Sequence, residues 1–392
     1  MRNRWSIIWF TVTALAGGCV SYQPRPLDAR AELAALAARR LPDVVTFRDG
    51  GQSPNHSAPA FDPEDGLNED EAAAVAISLN TDLQSARAAI GESEALLISA
   101  EVLPNPEVGV GFMGGFNGTP GFVLDADLLF ELFKPGERSA RVGAAEAKAD
   151  ASRVEVLAEE YDLATDVRRQ VLAVLVAERQ VALLKDEVAL RQRAVDLVNQ
   201  RKILGEGNEL ELSAVGLELA ETQRERRQAS FELEAARFEL NRLMGLPPSY
   251  HVRLSDSGKP LSVFILDDPG DAALQERVLA GRLDLRSKEA EYRTAEEELR
   301  LAVSRQYPRI KIGPSFEHDG VSDNYVGLGA TLELPLFDRN QGGIAAASAA
   351  RERVHAEYTA LLHRLTANAY AARARARAAK AEIDAEERDI LP

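Results

Sequence analysis

Cysteine is nearly absent from this sequence, and so are the other residues that chemistry usually needs. The only cysteine is Cys19, so no intramolecular disulfide can form. Both tryptophans, Trp5 and Trp9, fall within the first ten residues. Aromatics make up 6% of a chain that is 45% hydrophobic. Much of that hydrophobic share is alanine, which with Leu, Glu and Arg suits long helices better than a thick globular core. The five histidines, His56, His251, His318, His355 and His363, never pair at i, i+4 with another ligand type as a zinc helix requires. Beyond Met1 the methionines are Met113 and Met244. Neither a metal site nor a cofactor is expected. Basic excess is lacking too: the net charge of −16 excludes nucleic acid, whose binders displace counterions with clustered Lys and Arg. No phosphate loop, nucleophile elbow or pocketed acid pair occurs, so an enzyme is not expected. Past the N-terminus no apolar run reaches the roughly 18 residues of a transmembrane helix; Val171–Ala177 is the longest. If this chain crosses a membrane, it does so with strands.

The N-terminus is a targeting segment. Arg2 and Arg4 precede the apolar stretch Trp5–Leu15, and Ala16-Gly17-Gly18-Cys19 follows. A basic region, an apolar region and small residues at a cleavage point mark a secretory signal over residues 1–18. The position of Cys19 resembles a bacterial lipoprotein box, with Leu15 one place early. In such proteins the thiol is acylated, with palmitate among the added chains, and Val20 rather than Asp after it favours the outer membrane. Residues 19–68 then read as a lipidated extended segment, rich in Pro, Gly and Asp from residue 41 onward.

What is present is a repeat. Residues 70–147 run helix, Pro-bounded strand, strand and long helix, and residues 272–350 run the same way. Pro104 aligns with Pro308, and Leu132-Phe133 with Leu336-Phe337, at an offset of 204. In the first hairpin Val108, Val110 and Phe112 alternate with Glu107, Gly109 and Gly111. Phe122, Leu124, Ala126, Leu128 and Phe130 alternate with Val123, Asp125 and Asp127. In the second, Ile310, Ile312 and Phe316 alternate with Lys311, Gly313, Ser315 and Glu317, and Val326 to Leu334 alternate likewise. At the same offset the apolar positions coincide, except that Val110 meets Pro314. Two strand pairs in one register, apolar out and small or polar in, have the pattern of a membrane barrel around a wet lumen. Four strands cannot close a barrel, and an open edge in lipid leaves backbone groups unpaired. A three-fold ring would supply twelve.

The helices are expected over Glu69–Val102, capped by Asn68 and stopped by Pro104 and Pro106, then over Ser139–Lys202 and Leu210–Met244. The second would be roughly 95 Å long at 1.5 Å per residue. Val174, Val181, Val188 and Val195 recur every seven residues beside Ala177, Leu184 and Val198, a coiled-coil seam broken by Arg191. Gly205-Glu206-Gly207-Asn208 reads as the reversal at its tip. The chain therefore divides into a first repeat at 69–245, a linker at 246–270 and a second repeat at 271–392.

The strings "SLNTDLQSARAAIGESEALLISAEVLPNPEVGVGF" and "LELPLFDRNQGGIAAASAARERVHAEY" resemble TolC-like outer-membrane efflux proteins, in the lipoprotein branch that includes heavy-metal efflux members. That resemblance implies a mainly α fold with β: duplicated long helical hairpins forming a periplasmic tunnel, and four transmembrane strands per protomer completing a 12-stranded barrel in a homotrimer. It implies docking on a periplasmic adaptor and an RND-type inner-membrane pump, with passive conduction of metal cations or small toxic molecules out of a Gram-negative cell. Asp125, Asp127, Glu317 and Glu333 would line the pore, as acidic rings do in cation channels. Gly205, Glu206, Gly207 and Asn208 would form the periplasmic tip.

By the repeat offset Pro392 corresponds to about Val188, in mid-helix. About 55 residues that would complete the second tunnel half are then expected to be absent, through a gene model cut short or a damaged protein. Two other readings compete. A periplasmic adaptor carries one helical hairpin between β-rich flanks, and a structural coiled-coil lipoprotein would leave the strand pairs without a purpose.

Overall fold

The structure is a computed structural model describing residues 21–42, 66–114, 122–132, 134–255, 270–318 and 323–389. The signal segment, Cys19 and most of the connector after it lie outside these residues.

After a short exposed helix α1 (Ala29–Ala38), α2 spans Glu69–Leu79 and α3 spans Thr81–Glu101. The expected single helix over Glu69–Val102 is therefore two. Asn80 makes the break with extended backbone, its side chain accepting from the Leu83 N–H at 2.9 Å. Its amide donates to the Leu243 carbonyl at 2.9 Å, so one residue caps α3 and receives the end of another helix. At the start of α2, Asn68 accepts from Asp70 and Glu71 while Glu71 accepts from the Asn68 N–H, a reciprocal cap.

The first hairpin of helices is α4 (Glu137–Ile203) and α5 (Glu209–Leu243). At 67 residues α4 is about 100 Å long. The valine seam at 174, 181, 188 and 195 turns inward along it, facing a heptad of α5 that includes Leu212, Leu219, Ala229, Leu233 and Leu240. Arg191 interrupts the seam and is held by Glu218 at 2.6 Å and Glu187 at 3.4 Å. Because Asn80 receives Leu243, α5 and α3 stack end to end as a rod lying along α4. The second repeat gives α6 (Asp271–Gly281), α7 (Leu283–Ser304) and α8 (Gln341–Asp389), with α7 packed between α4 and α8.

Four antiparallel strands, β1 (Glu107–Gly114), β2 (Phe122–Leu132), β3 (Arg309–His318) and β4 (Asn324–Glu333), form one sheet in that order. Pairing of β2 with β3 joins the repeats. The uniform offset of 204 does not survive in the ladder. Gly111 pairs with Asp125, whereas Ser315, 204 further on, pairs with Gly327, only 202 beyond Asp125. A slip of two leaves every side chain on its face, so the alternation hides it. Pro314 lies level with Leu128, where it donates no ladder hydrogen bond. Beside it Gly313 lets the chains close up, since a Cβ there would overlap the Leu128 carbonyl oxygen.

The main apolar core sits where α2, α4, the end of α5 and the segment after it meet. Val75, Val167, Val171, Val174, Leu240 and Met244 are buried there. Leu67 bridges to Leu254 in parallel, and the Arg39 guanidinium donates to the Leu79 and Gly245 carbonyls. A smaller cluster of Val278, Leu285, Leu361 and Leu365 joins α6, α7 and α8.

Candidate functional site

Alternation along the strands decides the sheet's two faces. One carries Val108, Val110, Phe112, Phe130, Ile312, Phe316, Val326 and Leu328, all exposed, from 39% at Phe316 to 87% at Leu328. Side chains this apolar left bare across a whole sheet mark a surface meant for lipid or a partner. The opposite face carries the predicted acids. Across the four strands Gly111, Asp125, Glu317 and Tyr325 stand in one row, and Gly109, Asp127, Ser315 and Gly327 in the next. Asp125 and Glu317 are direct cross-strand neighbours, a like-charge pair that costs stability unless water or a counterion screens it. Asp125 lies over Gly111 and Asp127 over Gly109, where any Cβ would collide with the carboxylates.

Glu333 is on the same face but in different company. It pairs with Arg309 across β3–β4, with 3.9 Å between the charged atoms. One row along, Lys311 reaches over β2 to both carboxylate oxygens of Glu107 at 2.7 Å. The polar face is thus acidic toward the strand-connecting turns and salt-bridged toward the helices. The ion pair escaped the sequence reading because Lys311 and Glu107 stand on β3 and β1, with β2 between them, a contact set by strand order and not by spacing along the chain.

The junction of strands and helices is fixed by donors aimed at helix ends. Arg141 donates to the Ala100 and Val102 carbonyls at 3.0 and 3.1 Å, and Arg138 to Glu101 at 3.3 Å, capping α3. Asn340 donates to Ala302 at 2.8 Å and buried Lys134 to Arg305 at 3.3 Å, capping α7. Lys134 thereby ties the first repeat to the second. These residues stand in "FKPGERSAR" and "FDRNQGG", which signal a helix start but not the capping of another helix.

At the far end Gly205, with φ 81°, and Glu206-Gly207-Asn208 reverse the chain. Asn208 accepts from the Glu211 N–H at 2.8 Å, and Lys202 pairs with Glu209 across the turn. The four tip residues are therefore together. Cys19 lies outside the described residues. Among the described residues no three His, Cys, Asp or Glu side chains gather as metal ligands, and no helix is long and apolar enough to cross a membrane.

Residues 73–246 match the family described as outer membrane efflux protein. The chain is 24% identical over 327 residues to the cobalt-zinc-cadmium resistance protein CzcC of Cupriavidus metallidurans, covering 83% of this chain and 77% of that one. Its fold matches the outer membrane protein VceC of Vibrio cholerae with a TM-score of 0.65 at 17% identity, covering 82% and 81% of the two chains. It also matches the CmeC outer membrane channel of Campylobacter jejuni with a TM-score of 0.63 at 15% identity, covering 95% and 85%. That family comprises efflux channels rather than enzymes. A two-faced strand sheet set on 100 Å helices accompanies a match of the first repeat to this family and a fold shared with these proteins over most of the length, so the chain is similar to the TolC-like outer membrane efflux proteins.

Proposed function

We propose that this protein is the outer membrane duct of a tripartite efflux system, conducting solute passively from a pump and adaptor to the exterior. One observation carries the reading: a sheet bare and apolar on one face and polar on the other, continuous with a helical hairpin far too long for a globular domain. Homotrimerisation would close the open edges of β1 and β4 into twelve strands. The acidic rows of Asp125, Asp127 and Glu317 would then line the lumen and favour cations, with Glu333 balanced by Arg309. Similarity to a cobalt-zinc-cadmium resistance protein favours metal cations as cargo over larger organic molecules. The turn at Gly205–Asn208 would meet the adaptor or an RND-type pump, and acylation of Cys19 would anchor the N-terminus to outer membrane lipid.

The test is biochemical. Outer membrane extracts in detergent should contain heat-resistant trimers of this chain, and deleting its gene should sensitise the cell to divalent transition metals. Monomers recovered from the periplasm would defeat the reading. Labelling with radioactive palmitate should disappear in Cys19→Ser.

A further inference from the structure

Two grooves lie at one level of the first helical hairpin, on opposite flanks of the seam between α4 and α5, and they differ in charge. One is lined by Val181 and Lys185 of α4 and by Arg226, Arg227, Ser230 and Phe231 of α5, and holds about 260 Å³. The other is lined by Gln180, Leu184, Glu225, Gln228, Ala229 and Glu232. In a chain of net charge −16, the first groove has three cations and no acid. No Asp or Glu stands three or four residues from Lys185, Arg226 or Arg227, so no neighbour on the same helix face neutralises them. Among the described residues none of the three makes an ion pair. The Ser230 hydroxyl donates to the Arg226 carbonyl at 2.8 Å, which leaves the cations as the groove's donors. Phe231, 69% exposed, forms an apolar shelf beside them.

Position along the hairpin narrows the ligand. Lys185 is about 70 Å along α4 from Glu137 at the strands and about 30 Å short of Leu204 at the turn. The basic groove is thus out of reach of lipid headgroups around the sheet, and it stops short of the tip at Gly205–Asn208. In a duct that conducts cations the acidic flank is the one that suits the lumen. Repeated copies of Glu225 and Glu232 attract what repeated copies of Lys185, Arg226 and Arg227 would repel. The basic flank then faces outward into the periplasm. The extended polyanion that a tube meets there is the cell wall. Its peptide carboxylates match the three cations, and its sugar rings match a flat apolar shelf such as Phe231.

We propose that Lys185, Arg226, Arg227 and Phe231 form a periplasm-facing site for the anionic glycan-peptide network of the cell wall, holding the duct where it threads the wall. The inference rests on the reading of the protein as a cation duct, and co-sedimentation with purified cell-wall sacculi tests it. Full-length protein in detergent should sediment with sacculi at low salt and be released by about 0.5 M NaCl, where charges are screened within a few ångströms. Lys185→Gln/Arg226→Gln/Arg227→Gln should lower the bound fraction about five-fold or more, with its trimers intact. Phe231→Ser should lower it about two-fold. Glu225→Gln/Glu232→Gln should sediment like the unsubstituted protein. Soluble disaccharide-peptide fragments of the wall should displace the unsubstituted protein, a readout that needs no variant. If the unsubstituted protein stays in solution, or the triple variant sediments equally well, the site is overturned and the duct stands. Binding that depends on Glu225 and Glu232 overturns it too, because the acidic flank would then face outward. So does capture of a purified periplasmic adaptor, and not of sacculi, through the three cations. A chain that forms no trimers at all overturns the duct reading, and the gel shows that before any sacculi are added.

Discussion

The two repeats build the same shape from different chemistry. At the strand junction the first closes its short helix with guanidinium groups, Arg138 and Arg141, and the second with the amide of Asn340. At the mid-chain break the first uses Asn80, which caps α3 and binds Leu243 at once; the second uses Arg282, whose side chain makes no cap and pairs with Asp284 at 2.7 Å. Among the described residues, the first repeat gathers an extensive core around its break and the second a cluster of four buried residues. The backbone plan therefore tolerates exchange of its polar fastenings. What the plan requires is that helix-end carbonyls find a donor, whichever residue supplies it.

The largest test of that view concerns backbone proximity, where no exchange is possible. Gly313→Ala should block assembly, because its Cβ would overlap the Leu128 carbonyl oxygen and β2–β3 is the pairing that joins the repeats. Gly329→Ala should assemble normally, since its Cβ would find ordinary contacts from 3.6 Å outward. Trimer yield in mild detergent reads both, and equal yields would show that the strands can shift apart. Next come the cores. Leu240→Ala, fully buried in the first, should cost about 3 kcal/mol, and Leu361→Ala in the smaller cluster about 2 kcal/mol. Thermal unfolding in detergent measures the difference. A reversed order would make the second repeat the stable unit.

Much of this architecture was legible because it is written twice. Pro104 and Pro308 delimit the strands, the alternation from Val108 to Phe112 sets the faces, and the valines from 174 to 195 set the coiled coil. The break at Asn80 was not legible, since Asn-Thr-Asp sits inside an Ala-rich stretch whose helical period continues on both sides. In the second repeat Arg282 offers no capping signal at all. The two-residue slip between hairpins was invisible for a different reason: a period of two returns the same faces. Of the candidate site, the acids were readable as residues, but their division into an open acidic group and the Arg309-paired Glu333 was not. That division depends on which strands adjoin, and so does the link from Lys311 to Glu107 across β2.

A smaller effect separates the two breaks. Asn80→Ala removes a cap and leaves the buried Leu243 carbonyl without its donor, so it should cost about 1 to 2 kcal/mol. Arg282→Ala removes only a partly exposed ion pair and should cost a few tenths. If both variants melt at the same temperature, Asn80 is a spacer and the core alone holds α5 against α3.

The smallest effect on stability carries the most about function. Asp125→Asn relieves its repulsion from Glu317, so the folded protein should be unchanged or slightly firmer. Conductance should respond in the opposite sense. With one acidic row lightened in every protomer, cation over anion selectivity in planar bilayers should fall by about two-fold or more, and the loss should be greatest at low salt, where screening is weakest. Glu333→Gln provides the contrast. Its charge is already answered by Arg309, so removing it exposes a cation to the lumen and should lower selectivity too, but by freeing Arg309. The double variant Glu333→Gln/Arg309→Gln should then restore the original value, whereas no neutral partner restores Asp125→Asn. If Asp125→Asn and Glu333→Gln are both silent, the selecting charges lie in the helical tunnel, and the acidic rows serve only to wet the barrel.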